Sequence, residues 1–209
     1  MPHTSLHQPY LKSRRGVWKE IVRYVQADAG EIDTLVELGT SYCDFINQFP
    51  AKRKIGYDIS PDLLQFAAIE VDLRIENAIG LPGLRNSSVD LVFASNFMEH
   101  LRQEKLDILL PRISDVLTHR GKLILIQPNY RLCPDHYFDD ETHQTVFSDE
   151  NIRPFLEKYG FRVLKLIPGF LPFSMKSSLP KWSFLVRLYL RSPIKPLAGQ
   201  MYVVAEKGI

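Results

Sequence analysis

Two periods alternate along the chain. From Tyr10 to Ala29 apolar residues fall at Val17, Ile21, Val22, Tyr24 and Val25, a helical spacing. Short apolar runs bounded by polar residues then predict strands in DTLVEL (33–38), KIGYDIS (54–60), the weaker DLRIENA (72–78), SSVDLVFASN (87–96), HRGKLILIQPN (119–129), FRVLKLIP (161–168) and QMYVVAEK (200–207). Between them, helical spacing recurs in YCDFINQF (42–49), PDLLQFAAIE (61–70), the segment Arg102 to Thr118, DENIRPFLEKYG (149–160) and SFLVRLYLR (183–191).

Local signals support several of these boundaries. Ser60 followed by Pro61 reads as a helix start, and Ser148 and Gly160 bracket another helix. Leu106, Leu109, Leu110, Ile113, Val116 and Leu117 form one stripe, although Pro111 should kink or restart that helix. Strands alternating with helices imply an α/β fold, a mostly parallel sheet covered on both faces. No repeat or linker interrupts the pattern, so one domain is expected. It divides into an N-terminal helical element (1–30), a central α/β core (31–168) and a basic tail with a last strand (169–209).

Composition narrows the class. At 209 residues, with 45% hydrophobic and 24% charged, the chain can bury a globular core. Its apolar runs are broken by charges before they reach the ~20 residues of a membrane span. The start MPHTSLHQPYLKSRRG lacks the apolar stretch of a secretory signal, and Cys43 and Cys133 supply no disulfide framework. A cytoplasmic setting is expected. The net charge of +2 is uneven: residues 161–209 hold eight basic residues and one acid, leaving 18 basic and 23 acidic for the rest. A basic end on an acidic body suits an anionic partner, such as the inner face of a membrane, or is simply an uneven solvated surface.

The chemistry concentrates where strands end. In an open α/β sheet ligands sit beyond the carboxyl ends of the strands. VELGTSYCDF (36–45) runs from the first strand into such a crevice, and Asp58 ends the next strand about twenty residues later, where a carboxylate can accept ribose hydroxyls. Ser41 and Cys43 stand where a GxGxG spacing would place glycines. Those glycines let a backbone approach a pyrophosphate, so their loss disfavours NAD and FAD and leaves room for a nucleoside cofactor without phosphates. Cys43 has no adjacent base and reads as a small packing residue rather than a reactive thiol.

ELGTSYCDF, YDIS, ENAIGLPGLRNSSVDLVFASNFMEHL and RGKLILIQPN, in that order, resemble the class I S-adenosylmethionine-dependent methyltransferases of the small bacterial type, over roughly Asp33 to Leu166. The resemblance implies a doubly wound, seven-stranded, mostly parallel sheet whose antiparallel last strand is QMYVVAEK, with S-adenosylmethionine as cofactor. It implies that Glu37, Gly39 and Thr40 border the methionine portion, that Asp58 holds the ribose and that Ile59 lies against the adenine. Asn77 and Ala78 would address the adenine edge, Asn77 replacing a common aspartate, and Ser95 and Asn96 would lie close to the reactive methyl.

A hydroxyl acceptor would need a base. Candidates come from the loops after the fourth and fifth strands: His100, which recurs in EHL among relatives whatever their substrate and so also reads as structural, and an Asp139–His143 pair in the irregular stretch 130–147. His136, Asp139, Asp140 and His143 have ligand chemistry but match no established spacing, and no metal is expected. SFLVRLYLR aligns Ser183, Arg187 and Arg191 on one helical face, suiting either an anionic membrane or a lid packed on the domain. The tail looks like that of bacterial methyltransferases of surface-glycan assembly, which points to a small-molecule, sugar or lipid-linked hydroxyl acceptor. QPNY (127–130) is not the (D/N)PP(Y/F) motif of base-amine methylation, so no nucleic-acid partner is expected. The rival reading is a binding or scaffold protein that has lost catalysis, motivated by the glycine-poor loop.

Overall fold

The computed structural model describes residues 13–173 and 181–208. Tyr10 to Lys12, the start of the expected first helix, and most of LPFSMKSSLP lie outside the described residues. Helix α1 (Ser13–Ala29) precedes β1 (Ile32–Leu38), β2 (Ala51–Asp58), β3 (Val71–Ile75) and β4 (Val89–Ser95). There follow α2 (Gln103–Val116), β5 (Leu117–Pro128), α3 (Ile152–Lys158), β6 (Phe161–Pro172), α4 (Ser183–Arg191) and β7 (Ala198–Lys207).

The seven strands form one sheet in the order β3-β2-β1-β4-β5-β7-β6. Neighbours from β3 to β5 are parallel, whereas β7 runs antiparallel to both β5 and β6. The chain order reverses between β1 and β4, which places a switch point beside Gly39 and Asn96. The sheet is buried on both sides because successive residues face different layers. Val36, Val92, Leu123 and Val203 pack with the apolar stripes of α2 and α3. Leu35, Leu91, Ile124 and Val204 pack instead with Val17, Ile21 and Val25 of α1 and Val186 and Leu190 of α4. Pro111 lies inside α2 without ending it.

Two expected helices depart from the pattern. YCDFINQF forms only turns, because Cys43 has φ 56° and cannot continue a right-handed helix, and Pro50 follows closely. PDLLQFAAIE shortens to a 3₁₀ helix, Pro61–Phe66. The Asn47 side chain ends it, donating to the Phe66 carbonyl at 2.7 Å and accepting from the Ala68 amide at 2.9 Å. Both crossovers beside the cofactor crevice are therefore compact loops held by side chains.

Candidate functional site

Beyond the ends of β1 and β4 lies a cavity of about 220 Å³ lined by Glu37, Gly39, Thr40, Ser41, Asp44, Phe45, Ser95, Asn96 and, from α1, Arg14 and Trp18. A larger one, about 430 Å³, sits among Glu31, Asp90, Thr118 and Lys122 at the opposite edge, where the parallel strands begin. The first is the candidate site, since an open α/β sheet binds ligands at the carboxyl ends of its strands.

The loop after β1 explains the missing glycines. Gly39 has φ 69°, and Ser41 (47°) and Cys43 (56°) adopt the same left-handed region. The backbone thus keeps the conformation a glycine-rich turn would take, while bearing side chains that ordinarily avoid it. At Gly39 a side chain is excluded, for a Cβ there would come within 2.8 Å of Phe97 Cδ2. Cys43 is fully buried and burial pushes its thiol up to about 12, so it packs and does not react.

Asp58 receives this loop. Its Oδ2 accepts from the Ser41 amide at 3.0 Å, and its Oδ1 from the amides of Ile59 (2.8 Å) and Ser60 (3.2 Å). A carboxylate offers about four acceptor sites, so the three amides orient it and leave capacity for a ribose hydroxyl. Ile59, 62% exposed, presents an apolar surface next to it. Glu37 is buried and accepts from the Ile46 amide at 3.1 Å. Burial pushes its carboxyl well above the usual range, and the charges of Asp44 and Asp58 add to the shift.

Asp44 is paired with Arg14 at 2.8 Å, which brings α1 over the loop. Among the described residues Trp18 Nε1 is buried without a hydrogen-bond partner, and Thr40 Oγ1, beside the Cys43 thiol, is buried with no partner of good geometry; both residues line the cavity. Unsatisfied buried donors call for a polar ligand. The acceptor-rich carboxylate of the methionine portion of S-adenosylmethionine would supply partners for such donors.

The structure brings Glu37, Gly39, Thr40, Ser95 and Asn96 to this cavity, with Asp58 tied to it through Ser41. Asn77 and Ala78 lie outside its lining; Asn77 caps a short turn by accepting from the Ile79 amide at 3.0 Å. Arg14, Trp18 and Asp44 were missed. Arg14 and Trp18 reach the site only through the docking of α1, for which no local motif exists, whereas Asp44 belongs to the loop after β1 and pairs with Arg14.

The expected catalytic pair does not form. Asp139 accepts from His136 Nδ1 at 2.9 Å on the surface, because one helical turn puts those two side by side. His143 is instead buried, its Nδ1 2.5 Å from the Tyr137 carbonyl, with its ring against those of Tyr137 and His100. His100 Nδ1 lies 2.7 Å from Thr142 Oγ1, which itself donates to Asp140 at 2.5 Å. None of Asp139, His143 and His100 lines the cavity. Beside the two histidines, Glu99 is fully buried and burial pushes it up to about 8, opposed by the nearby amides of Glu99 and Phe97.

The strand order, the antiparallel β7 and the site at the β1/β4 switch define the class I methyltransferase fold. Residues 36–125 match the family model described as Methyltransferase domain. Solved structures agree in fold. An S-adenosylmethionine-dependent methyltransferase from Archaeoglobus fulgidus superposes with a TM-score of 0.68 at 20% identity, over 93% of this chain and 94% of that one. One from Thermotoga maritima gives 0.68 at 20% identity over 93% and 91%. One from Clostridium acetobutylicum gives 0.67 at 12% identity over 98% and 95%. No curated protein sequence matches the chain. Residues 36–125 thus match a methyltransferase domain, set in a fold shared with solved S-adenosylmethionine-dependent methyltransferases.

Proposed function

We propose that the protein methylates a hydroxyl of a small molecule, or of a glycan or lipid-linked intermediate, and that its cavity residues hold the methyl donor. The observation that carries the donor half is the cavity at the β1/β4 switch, with Trp18 Nε1 and Thr40 Oγ1 buried in its wall. Asp58 would take the ribose hydroxyls, with Ile59, Asn77 and Ala78 on the adenine side. Glu37 would face the cationic methionine end, and Trp18 Nε1 and Thr40 Oγ1 would find acceptors there. Ser95 and Asn96 would border the reacting centre. Bound there, S-adenosylmethionine supplies an electrophilic methyl on a sulfonium. The protein's task is then alignment of the acceptor oxygen, which proximity alone can make worth several powers of ten in rate.

The acceptor half rests on the long connection from Tyr130 to Phe147, which overhangs the ends of β4 and β5, and on α4. That helix packs on α1: Val186 and Leu190 are buried, and Arg187 pairs at 2.8 Å with Glu20 of α1. Its outer side leaves Trp182, Phe184 and Leu188 exposed alongside Arg191. Exposed aromatics with basic neighbours suit contact with an anionic membrane, where a lipid-linked acceptor would be met. Among the described residues no helix is long and apolar enough to cross a membrane.

The test is a methyl-transfer screen over nucleotide sugars, glycolipid intermediates and hydroxylated metabolites, reading S-adenosylhomocysteine release, with calorimetry of both S-adenosyl compounds beside it. Cofactor binding that Asp58→Ala weakens by about 10- to 100-fold, the worth of one or two charge-assisted hydrogen bonds, supports the site. No heat in the wild type would favour the scaffold reading. Turnover only with amine acceptors would overturn the hydroxyl assignment.

A further inference from the structure

Outside the lining of the cavity lies a cluster that the methyl-transfer reading leaves unused. One carboxylate oxygen of Glu99, one ring nitrogen of His100 and one of His143 all lie within 4.8 Å of one another. Glu99 and His100 come from the short turn after β4, and His143 from the connection after β5. The two imidazoles meet edge to face with centroids 4.8 Å apart.

Two further features distinguish this cluster from chance proximity. Glu99 is 0% exposed, and among the described residues neither carboxylate oxygen has a hydrogen-bond partner of good geometry. A carboxylate buried in this way costs several kcal/mol unless a cation or donors compensate it. The second feature is the tautomers. A carbonyl can only accept, so His143 Nδ1 must carry the proton it shares with Tyr137 O. Thr142 spends its hydroxyl proton on Asp140, so its oxygen accepts from His100 Nδ1. With Nδ1 protonated, the neutral form of each imidazole carries its lone pair on Nε2. Anchoring Nδ1 to a carbonyl, or through a hydroxyl to a carboxylate, is how proteins orient metal-ligating histidines.

We infer that Glu99, His100 and His143 form a site for a divalent ion of the zinc class, bound by one carboxylate oxygen and two Nε2 atoms. Two nitrogens and one oxygen suit zinc and its transition-metal neighbours, whereas magnesium and calcium take oxygen ligands. Three protein ligands leave a tetrahedral ion one open position, as in catalytic zinc sites. The ion would offset the Glu99 charge and tie the turn after β4 to the loop after β5. Asp140, reached through Thr142, would balance part of the remaining positive charge.

Untagged protein is stripped with chelator, incubated with Zn²⁺ or with Mg²⁺, desalted and assayed for metal by mass spectrometry. Cobalt substitution provides a visible d–d spectrum as a second readout. One zinc retained per chain, no magnesium, and an intense tetrahedral cobalt band are expected. Glu99→Gln, which preserves shape, and His143→Ala should each weaken zinc binding by more than about tenfold, and Thr142→Val, which removes only the His100 anchor, by about 10- to 100-fold. Melting curves in chelator show whether each variant folds; should the ligand variants fail, wild-type stoichiometry and the cobalt spectrum decide alone. Wild-type protein that retains no zinc, binds magnesium in preference, or gives an octahedral cobalt spectrum overturns the site. So does undiminished zinc retention in folded Glu99→Gln. None of these readouts depends on methyl transfer, so the inference stands or falls apart from the proposed activity.

Discussion

Replacing Ser41 by glycine should stabilise the protein, although glycine substitutions usually do the reverse. Ser41 is exposed, with φ 47°, in the region where a Cβ crowds the following carbonyl. That conformation costs a residue with a side chain about 1–2 kcal/mol. Glycine removes the cost but raises the entropy of the unfolded chain by about 0.4–1 kcal/mol. The difference is a net stabilisation between about 0 and 1.5 kcal/mol, or about 2–4 °C per kcal/mol for a domain of this size. The amide that bonds Asp58 is unchanged by the substitution, so affinity for S-adenosylmethionine should stay within about threefold, less than the 1.4 kcal/mol of a tenfold change. The assay is urea unfolding of Ser41→Gly, with Ser41→Val as counterpart; a β-branched side chain at positive φ should destabilise instead. Gly39→Ala should destabilise more than Ser41→Val, because strain is joined by the 2.8 Å approach to Phe97. If Ser41→Gly unfolded at lower urea than the wild type by more than 1 kcal/mol of equivalent stability, roughly the full scale of the effect, the reading of the loop as a strained glycine turn would be wrong.

Three other outcomes can be checked with the same protein. The Glu37 carboxyl is held well above its ordinary value of 4.5 by burial, so the native state binds its proton more tightly than the unfolded chain. Stability should therefore fall as pH rises from about 4.5 to the folded-state value, and Glu37→Gln should flatten that slope in pH-dependent unfolding while weakening cofactor binding. Glu20 has the opposite sign: the Arg187 hydrogen bond lowers its carboxyl below 4.5, so this contribution is present above that pH and lost as pH falls through the folded value. Hydrogen exchange in 183–191, corrected for its intrinsic pH dependence, should accelerate in acid in the wild type and lose that dependence in Glu20→Gln. Cys43, buried with its thiol raised to about 12, should resist thiol reagents at pH 8 in the native protein and react only on unfolding; rapid native labelling of that residue would contradict the burial.

Each strand of the sheet could be read from a short apolar run, because a parallel sheet covered on both faces demands apolar residues at nearly every position. For the same reason Glu37, Gly39 and Asp58 could be placed at the crevice: a strand end followed by a turn is a local event. The sequence by itself also determined that the loop lacks two glycines, which disfavours a pyrophosphate. Tertiary structure decided what that loss means. Only the backbone shows Ser41 and Cys43 in the conformation glycine would take, and that conformation is why YCDFINQF, helical by spacing, forms turns. Long-range packing likewise supplied Arg14 and Trp18 from a helix 20 or more residues upstream, which no spacing in the loop could announce. It separated Asp139 from His143, four residues apart in sequence, by giving each a nearer partner. It also brought His143 to Glu99 and His100 across more than forty residues, because the connection after β5 folds back onto the turn after β4. Periodicity reports what a segment buries, whereas only the closed chain determines which buried polar groups meet.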